Sequence, residues 1–349
     1  MVKYVIKRIL YILLIFLILS FLLFVIYNMI PIDKAFNATK AEQSGLKGSA
    51  LAQFDWNTRY LFWQRFYGEN GSILERYARW MGFYPYTFAD GTFKFNGMLQ
   101  GNFGNSSTYN KPVIDVIKAP MGNTIFINIF ATILGLGITI PLGIFCAVKK
   151  GTKRDNAVQV ATIIGYSLPV FIVAIVFLWL FSMILNWFPV SGSHSPFGYT
   201  EMNAWQQFWN RMYYMALPLI VMTFCSLGGM TRYVRASMID ALNLDCIRTA
   251  RAKGLKEKTV IYSHAFRNAL IPIVTLVIGW FLGIFAGSMM IEHIFSLNGI
   301  GEFYYKCLNN NDNEVVLALQ MFYIFIGLFG NLVIDIAYGF VDPRIRVNK

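Results

Sequence analysis

A basic stretch between two long apolar segments carries the residues of this sequence that are best placed to bind a partner. Residues 232–268, here called the central loop, hold eight Lys and Arg residues. Asp240 and Asp245 come early in its predicted helix and the basic residues come late, an order that the helix dipole favours. Gly254 is placed to end that helix, as glycine often does at a C terminus. These charged residues can bind a partner non-covalently, either a protein or anionic lipid.

An apolar stripe completes the pattern of the central loop. Its members, which recur at steps of three and four residues and so predict one face of a single helix, are Ile239, Leu242, Cys246, Ile247 and Ala250. Only about 35 residues separate the flanking apolar segments, so the loop has no room for a soluble domain. These residues predict a short helix at the membrane surface, and by themselves they favour protein docking and lipid contact equally.

Other kinds of site chemistry find little support. The sequence has no G-x-x-x-x-G-K-[ST] phosphate-binding loop and no H-E-x-x-H zinc motif. His194, His264 and His293 fall in different loops, with no spacing that suggests a metal site. The apolar segments contain almost no ionisable residues in their interior, and Asp335 is the exception. It could relay protons, but pairing with a nearby basic or hydroxyl group is the favoured interpretation.

Composition and charge place these residues in a membrane protein. The 349 residues are 56% hydrophobic and 14% charged, with a net charge of +12. That charge does not indicate nucleic-acid binding, because basic residues accumulate in cytoplasmic loops of membrane proteins. The four cysteines form no CxxC pair. Since the topology below places only Cys307 outside, no intrachain disulfide is expected.

Six apolar segments predict six transmembrane helices. The first is preceded by Lys3, Lys7 and Arg8, and it is longer than the apolar region of a cleaved signal peptide, which favours a retained first helix. The segments cover about residues 9–30, 121–148, 160–185, 213–231, 269–291 and 315–340. Eighteen Lys and Arg residues fall in short segments on one side, against Arg211 and Lys306 on the other. The positive-inside rule therefore predicts that both termini are cytoplasmic.

The predicted organisation has four parts. Residues 1–30 form the N-terminal tip and first helix, residues 31–119 an extracellular domain, residues 120–340 a five-helix core that contains the central loop, and residues 341–349 a cytoplasmic tail. The 31–119 segment is mixed polar and aromatic, with Trp56, Trp63 and Trp80, which argues against disorder. A small, partly helical domain is expected there.

The central loop resembles the cytoplasmic loop of ABC-transporter permeases. Arg248-Thr249-Ala250 stands where that loop has Glu-Ala-Ala, Gly254 stands at its Gly, and Arg267 stands where a Pro is expected. The runs R-T-A-R-A-K-G-L and H-A-x-R-N-A-L-I-P closely resemble the version in the oligopeptide/dipeptide permease family, in the first of its two homologous subunits.

Further segments carry the same resemblance from about Gly101 to Arg346. Trp187 to Gly192 is similar to the outer loop after the family's third helix, and Ile291 to Gly301 is similar to its E-x-x-F-s-x-P-G-x-G segment, with Asn298 in place of the Pro. The positions that match the family's motifs, including its C-terminal ending, are Glu292, Phe295, Gly299, Gly301, Asp335, Tyr338, Asp342, Pro343 and Arg344.

The resemblance implies an all-α integral membrane protein with the permease fold of type I ABC importers and an extracellular insert between helices 1 and 2. It implies a transport subunit of a bacterial inner membrane, not an enzyme, with no cofactor of its own because ATP and Mg²⁺ bind the partner ATPases. The ATPase-coupling positions that it implies are Asp245, Arg248, Thr249, Ala250, Arg251, Ala252, Lys253, Gly254, Leu255, His264, Arg267 and Asn268.

The implied partners are a second homologous permease, two ABC ATPases, an extracellular substrate-binding protein, a peptide substrate and membrane lipids, with no nucleic acid. Two alternatives stay open. The cargo could be nickel or another small solute, which near relatives carry, or the chain could be a channel or scaffold whose central loop lies on lipid.

Overall fold

The computed structural model describes residues 2–30, 34–48, 51, 53–66, 68–87 and 93–341 of the chain. Within these ranges the protein is predominantly helical. The contacts divide it into two compact units. The first unit comprises Met1–Ile12, Ile117–Lys306 and Phe325–Lys349, and the second comprises Leu13–Val116 and Cys307–Ile324.

The N-terminal third contains one long helix and several short elements. In chain order these are α1 (Val2–Asn28), α2 (Lys34–Gly45), α3 (Trp56–Phe66), α4 (Ile73–Met81), the strands β1 (Tyr86–Thr87) and β2 (Phe93–Lys94), and a 3₁₀ turn (Met98–Gln100). The two strands pair antiparallel, with Tyr86 opposite Lys94. The helices in the 31–119 segment agree with the expected partly helical fold, while the boundaries and the location of that segment stay predictions.

The remaining chain is built from long helices joined by short ones. They are α5 (Val113–Val148), α6 (Lys153–Ser167), α7 (Val170–Phe177) with a π-helical continuation (Leu178–Ile184), a 3₁₀ turn (Tyr199–Glu201), α8 (Ala204–Leu242), α9 (Asp245–Ala252), α10 (Glu257–Thr259) with a π-helical turn (Val260–Ala265), α11 (Phe266–Gly283), α12 (Met289–Ile294), α13 (Ile300–Asn309) and α14 (Asn313–Val341).

Among the described residues, four helices are long and apolar enough to cross a membrane: Val5–Asn28, Val113–Val148, Ala204–Leu242 and Asn313–Ala337. Two bent pairs bring the number to six if each pair is one span. Lys153–Ser167 and Val170–Ile184 meet at 99°, and Glu257–Leu270 and Pro272–Gly283 meet at 64°. The six predicted segments correspond to these four helices and two bent pairs.

Proline explains the sharper bend. Leu168 precedes Pro169 and has an extended backbone (φ −85°, ψ 134°), the conformation that a following proline imposes. The chain therefore leaves α6 at Leu168 and begins a new helix at Val170. By contrast, Pro218 lies within α8 without ending it, as transmembrane helices permit.

Two apolar cores hold the first unit together. One of them, the central-loop core, joins α5, α8, α9, the π-helical turn and α11 through Ile144, Ala147, Met230, Val234, Met238, Ala241, Ile247, Ala250, Val260, Ile261, Ala265, Ala269 and Ile273. The other joins α5, α7, α8 and the α12 region through buried residues that include Ile127, Val173, Leu217, Ile291 and Phe295. The segments resembling the permease family thus contribute to both cores.

Candidate functional site

The apolar stripe of the central loop lies on two helices with a break between them, not on the single helix that its spacing predicted. The long helix α8 ends at Leu242, and Leu244 has an extended backbone (φ −65°, ψ 146°) before α9 begins at Asp245. This break resets the helical phase. Ile247 and Ala250 are buried, at 0% and 6% exposure, but Cys246 is exposed. The prediction that Cys246 shares their face is therefore wrong.

The buried face of α9 belongs to the subunit's own core. Ile247 and Ala250 lie in the central-loop core together with Val234 and Met238 of α8 and Ala265 of the π-helical turn. Their burial packs α9 against the π-helical turn that leads into α11, in the same core as the end of α8.

The opposite face of α9 and the residues that follow it are exposed. Arg248 pairs with Asp245 at 3.2 Å. The Arg251 guanidinium donates two hydrogen bonds to the Glu257 carboxylate, at 2.7 and 3.2 Å. That bonding raises the pKa of Arg251. Exposed ion pairs of this kind add little to stability, so they shape the surface and do not hold the fold. The predicted coupling positions that are exposed are Asp245, Arg248, Thr249, Arg251, Ala252, Lys253, Gly254, Leu255, His264, Arg267 and Asn268.

Gly254 ends α9 as predicted. Its φ is +74°, a left-handed conformation that glycine adopts without steric cost. The Gly254 N–H donates to the Arg251 carbonyl at 2.9 Å, and the Leu255 N–H donates to the Ala250 carbonyl at 3.4 Å. These two bonds form a Schellman motif, which satisfies carbonyls at the helix end. The chain therefore turns sharply at the edge of the exposed face.

A π-helical turn joins the loop to α11. Val260, Ile261 and Ala265 from this turn are buried in the central-loop core, while His264 is exposed and its carbonyl accepts a hydrogen bond from the Asn268 side chain at 2.8 Å. π-Helical turns inside α-helices are uncommon and concentrate at functional sites. The predicted positions His264, Arg267 and Asn268 thus lie on the exposed side of the segment that leads into α11.

An ion pair that the sequence did not predict holds the C-terminal part of α8 against α6. The Asp155 carboxylate at the start of α6 is fully buried and pairs with Arg235 of α8 at 2.7 Å. The same carboxylate accepts hydrogen bonds from the Gly151 N–H at 2.9 Å and the Gln159 side chain at 3.1 Å. The signal in the sequence was weak, an acidic residue three positions after the N-capping Thr152. Eighty residues separate the two charges.

The family-motif positions between Glu292 and Gly301 come together around one buried carboxylate. Glu292 is 2% exposed. It accepts hydrogen bonds from the Thr124 hydroxyl at 2.8 Å, the Gly301 N–H at 2.7 Å and the Glu302 N–H at 3.0 Å. The last two donors lie in the first turn of α13, where the helix dipole also favours an anion. Burial raises the pKa of Glu292, and these hydrogen bonds oppose that rise.

Glycine is required at both motif positions beside that carboxylate. A Cβ on Gly299 would lie 2.4 Å from the Glu292 carboxyl carbon, and one on Gly301 would lie 2.7 Å from the Met289 nitrogen. Phe295, the other motif position, is buried and its carbonyl accepts a hydrogen bond from the Gly192 N–H at 2.8 Å. Asn298 has a φ of +50°, which the proline usual in the family could not adopt.

Three polar side chains of α5 hold the same region. The Asn123 amide donates to the carbonyls of Leu297 and Asn298, at 3.1 and 3.2 Å. Five residues further along α5, the Asn128 amide donates to the carbonyls of Ile284 and Ala286, at 3.0 and 2.9 Å. Together with Thr124, these residues anchor the chain from the end of α11 to the start of α13. Sequence reasoning missed this role of α5.

The last predicted positions lie near the C terminus. Asp335 of α14 pairs with Arg8 of α1 at 3.1 Å, which agrees with the favoured interpretation of Asp335 as a charge paired to a basic residue. Asp342, Pro343 and Arg344 lie outside the described residues. Across the described part of the chain, no group of three or more His, Cys, Asp or Glu side chains is arranged to hold a metal ion.

Residues 139–347 match the family described as "Binding-protein-dependent transport system inner membrane component". The chain belongs to this family. The match includes the central loop, the Glu292 segment and α14, and it begins within α5, so it leaves out α1 and the 31–119 segment.

This chain has relatives among the permease proteins of bacterial peptide and peptidoglycan transport systems. It is 35% identical to the oligopeptide transport system permease protein AppB of Bacillus subtilis, over 80% of this chain and 83% of that protein. It is 34% identical to the peptidoglycan transport system permease protein YejB of Agrobacterium fabrum, over 72% and 70%. It is 35% identical to the dipeptide transport system permease protein DppB of Lactococcus lactis, over 72% and 78%.

Family membership confirms the predicted fold class, a multi-pass membrane protein of the ABC importer permease type, and the described residues are mostly helical, with one pair of two-residue strands. A permease is a transport subunit, and the family name states that its transport systems depend on a binding protein. An ATPase and a substrate-binding protein are therefore general partners of this permease.

Proposed function

We propose that this chain is one of two homologous permease subunits of an ATP-driven importer for oligopeptides or dipeptides. The cargo is inferred from the names of the relatives AppB and DppB, which match most of the chain at 35% identity. The second permease lines the other half of the path, an extracellular binding protein delivers the peptide, and two ATPases bind ATP and Mg²⁺. The charge asymmetry of the short loops supports a location in the bacterial cell membrane with both termini in the cytoplasm.

The observation that carries the proposal is the two-faced geometry of α9. Its inward residues, Ile247 and Ala250, are buried in the central-loop core, while Arg248, Thr249 and Ala252 on the other side are exposed. A helix that shares one core with α8 and with the turn leading into α11, and that is exposed on its outer face, is suited to carry movement from a docked ATPase into the membrane. Coupling of this kind requires contacts that differ between the two states of the ATPase pair.

The lipid alternative for the central loop fits this geometry less well. A helix that lies on a membrane presents its apolar face to lipid, but the apolar residues of α9 are used inside the subunit. What remains for an external partner is mostly charged and polar, with Leu244, Leu255 and Tyr262, at 43%, 41% and 54% exposure, as separate apolar contacts. This composition favours a protein surface with complementary charge over a bilayer.

Uptake assays test the proposed cargo. A strain that lacks this gene should lose uptake of labelled di- or oligopeptides and regain it when the wild-type gene is restored. Nickel uptake in the same cells tests the small-solute alternative. Restored peptide uptake with unchanged nickel uptake supports the proposal, and the opposite pattern contradicts it. Labelled peptidoglycan fragments form a second arm of the assay, because one relative is named for peptidoglycan transport.

Purification tests the assembly. The complex isolated in mild detergent should contain the permease, a homologous second permease and ATPase subunits, and it should hydrolyse ATP. The isolated chain should not, because its sequence has no phosphate-binding loop. Hydrolysis by the chain alone, free of contaminating ATPase, contradicts this assignment of roles.

A further inference from the structure

Helix α4 of the second unit packs on the half of α1 that ends at Asn28. Neither the hydropathy nor the periodicity of the sequence predicts this contact. The Tyr77 hydroxyl lies 2.6 Å from the Ser20 hydroxyl and 3.3 Å from the Leu17 carbonyl oxygen. The Tyr77 ring packs edge-on against Phe21, with ring centres 5.2 Å apart, and Trp80 packs on Phe24 at 5.4 Å. Ser20 is completely buried by this packing.

These contact points lie within the membrane-crossing part of α1. The candidate span Val5–Asn28 contains 24 residues, about 36 Å of helix, which exceeds a hydrocarbon thickness of about 30 Å. Ser20 precedes Asn28 by eight residues, so it lies about 12 Å along the helix from that end and roughly 9 Å inside the hydrocarbon of a centred span. Phe24 lies close to the boundary between acyl chains and headgroups.

Consecutive residues of α4 set its orientation. Arg76 donates to the side-chain oxygen of Asn28, at the end of the span, while Tyr77 reaches inward to Ser20. The helix backbone therefore lies between these two levels, with its charge directed towards the headgroups and its phenol directed towards the acyl chains. Arg79 is 7% exposed and donates to the Gly68 carbonyl at 3.0 Å and the Asn70 side chain at 2.6 Å. Its charge is thus satisfied within the unit.

The apolar face of α4 continues beyond its contact with α1. Ile73 and Leu74, in the first turn, are 38% and 63% exposed. An amphipathic helix held at the acyl–headgroup boundary buries such residues in lipid. We infer that α4 is an interfacial membrane helix, whose Ile73 and Leu74 side chains are covered by lipid acyl chains of the leaflet at the Asn28 end of α1. The 31–119 segment then contacts the bilayer through α4 and is not a domain surrounded by water on all sides.

Spin labelling in the assembled transporter tests this inference. Leu74→Cys is made in a Cys225→Ala, Cys246→Ser background, because those two native cysteines are not fully buried. The nitroxide-labelled complex is reconstituted in vesicles of phosphatidylethanolamine and phosphatidylglycerol. Collisions with oxygen, which concentrates in acyl chains, are then compared with collisions with a water-soluble nickel chelate. Leu22→Cys, at an exposed position of α1, is the lipid reference, and Lys94→Cys on β2 is the water reference.

The expected ratio of oxygen to nickel-chelate collisions at Leu74 is several-fold above that at Lys94 and close to that at Leu22. Ile73→Cys repeats the measurement on the same face, in case one variant fails to assemble. A ratio like that of Lys94 means that the face is in water and overturns the inference. Protection from both reagents means that protein covers the face, for example the binding protein or the second permease, and overturns it as well.

Discussion

The Asp155 carboxylate accepts two hydrogen bonds from the Arg235 guanidinium, one from Nε at 2.9 Å and one from Nη2 at 2.7 Å. This bidentate pair ties the start of α6 to α8, at a position between Val234 and Met238 of the central-loop core. It therefore holds in place the part of α8 that shares a core with α9, the helix of the candidate coupling surface.

Arg235→Gln should destabilise the permease by about 3 kcal/mol, because it leaves the buried Asp155 charge without its partner. The measurement is the midpoint of thermal unfolding of the purified complex. Arg154→Gln, at an exposed neighbouring position, is the matched control and should leave the midpoint unchanged. The double variant Asp155→Asn, Arg235→Gln should recover part of the loss, since no buried charge remains. Equal midpoints for wild type and Arg235→Gln would show that the pair contributes nothing.

Substitutions on the two faces of α9 should have different consequences. Ala252→Trp adds bulk to the exposed face, so ATPase co-purification should fall at least about tenfold, equivalent to about 1.4 kcal/mol, while unfolding stays unchanged. Ala250→Glu places a charge in the central-loop core and should lower the unfolding midpoint of the permease itself. Full ATPase retention and normal uptake with Ala252→Trp would remove this surface from the docking role.

Gly254→Ala should lower stability by about 1 kcal/mol through backbone strain alone. The φ of Gly254 is +74°, and nothing lies within 4 Å of an added Cβ, so no steric clash adds to the cost. Gly137→Ala in α5 is the control, since that position is equally open and has no positive φ. Unfolding midpoints of the two variants test this. An equal effect at both positions would mean that the left-handed turn after α9 is not required.

Glu292 should make stability depend on pH. Burial raises its folded-state pKa above the ordinary 4.5, so its contribution to stability is fully present below pH 4.5 and is lost as pH rises through the folded pKa. Between about pH 4 and about pH 8 the unfolding midpoint of the wild type should fall relative to that of Glu292→Gln, which cannot titrate. A difference that stays constant, or one that grows in the opposite direction, would contradict the raised pKa.

Cysteine labelling should report six spans with both termini in the cytoplasm. In whole cells, an impermeant maleimide should label Thr200→Cys and Asn310→Cys, and should reach Thr152→Cys and Lys256→Cys only after permeabilisation. All four positions are exposed, whereas Ser193, in the same loop as Thr200, is buried and would label poorly on either side. Labelling of Thr152→Cys or Lys256→Cys in intact cells would overturn the orientation that the positive-inside rule predicts.

Local features of this protein followed directly from its sequence. Apolar runs of sufficient length predicted the membrane-crossing segments, because the bilayer thickness sets the length of a span. Gly254 predicted the end of α9 because few other residues adopt a positive φ without strain. The resemblance at Glu292, Gly299 and Gly301 identified positions that the structure places in contact. It did not show that the carboxylate caps α13, since periodicity carries no information about which N–H groups a side chain meets.

The tertiary structure decided the relations between distant residues and the phase of each helix. The break at Leu244 determines that Ala250 is buried and Cys246 exposed, because a single extended residue rotates every following side chain about the helix axis. The pairing of Asp155 with Arg235 and the contact of Tyr77 with Ser20 join residues 80 and 57 positions apart. Hydropathy and propensity are properties of neighbouring residues, so they cannot select such partners. Packing in three dimensions selects them by satisfying the groups that it buries.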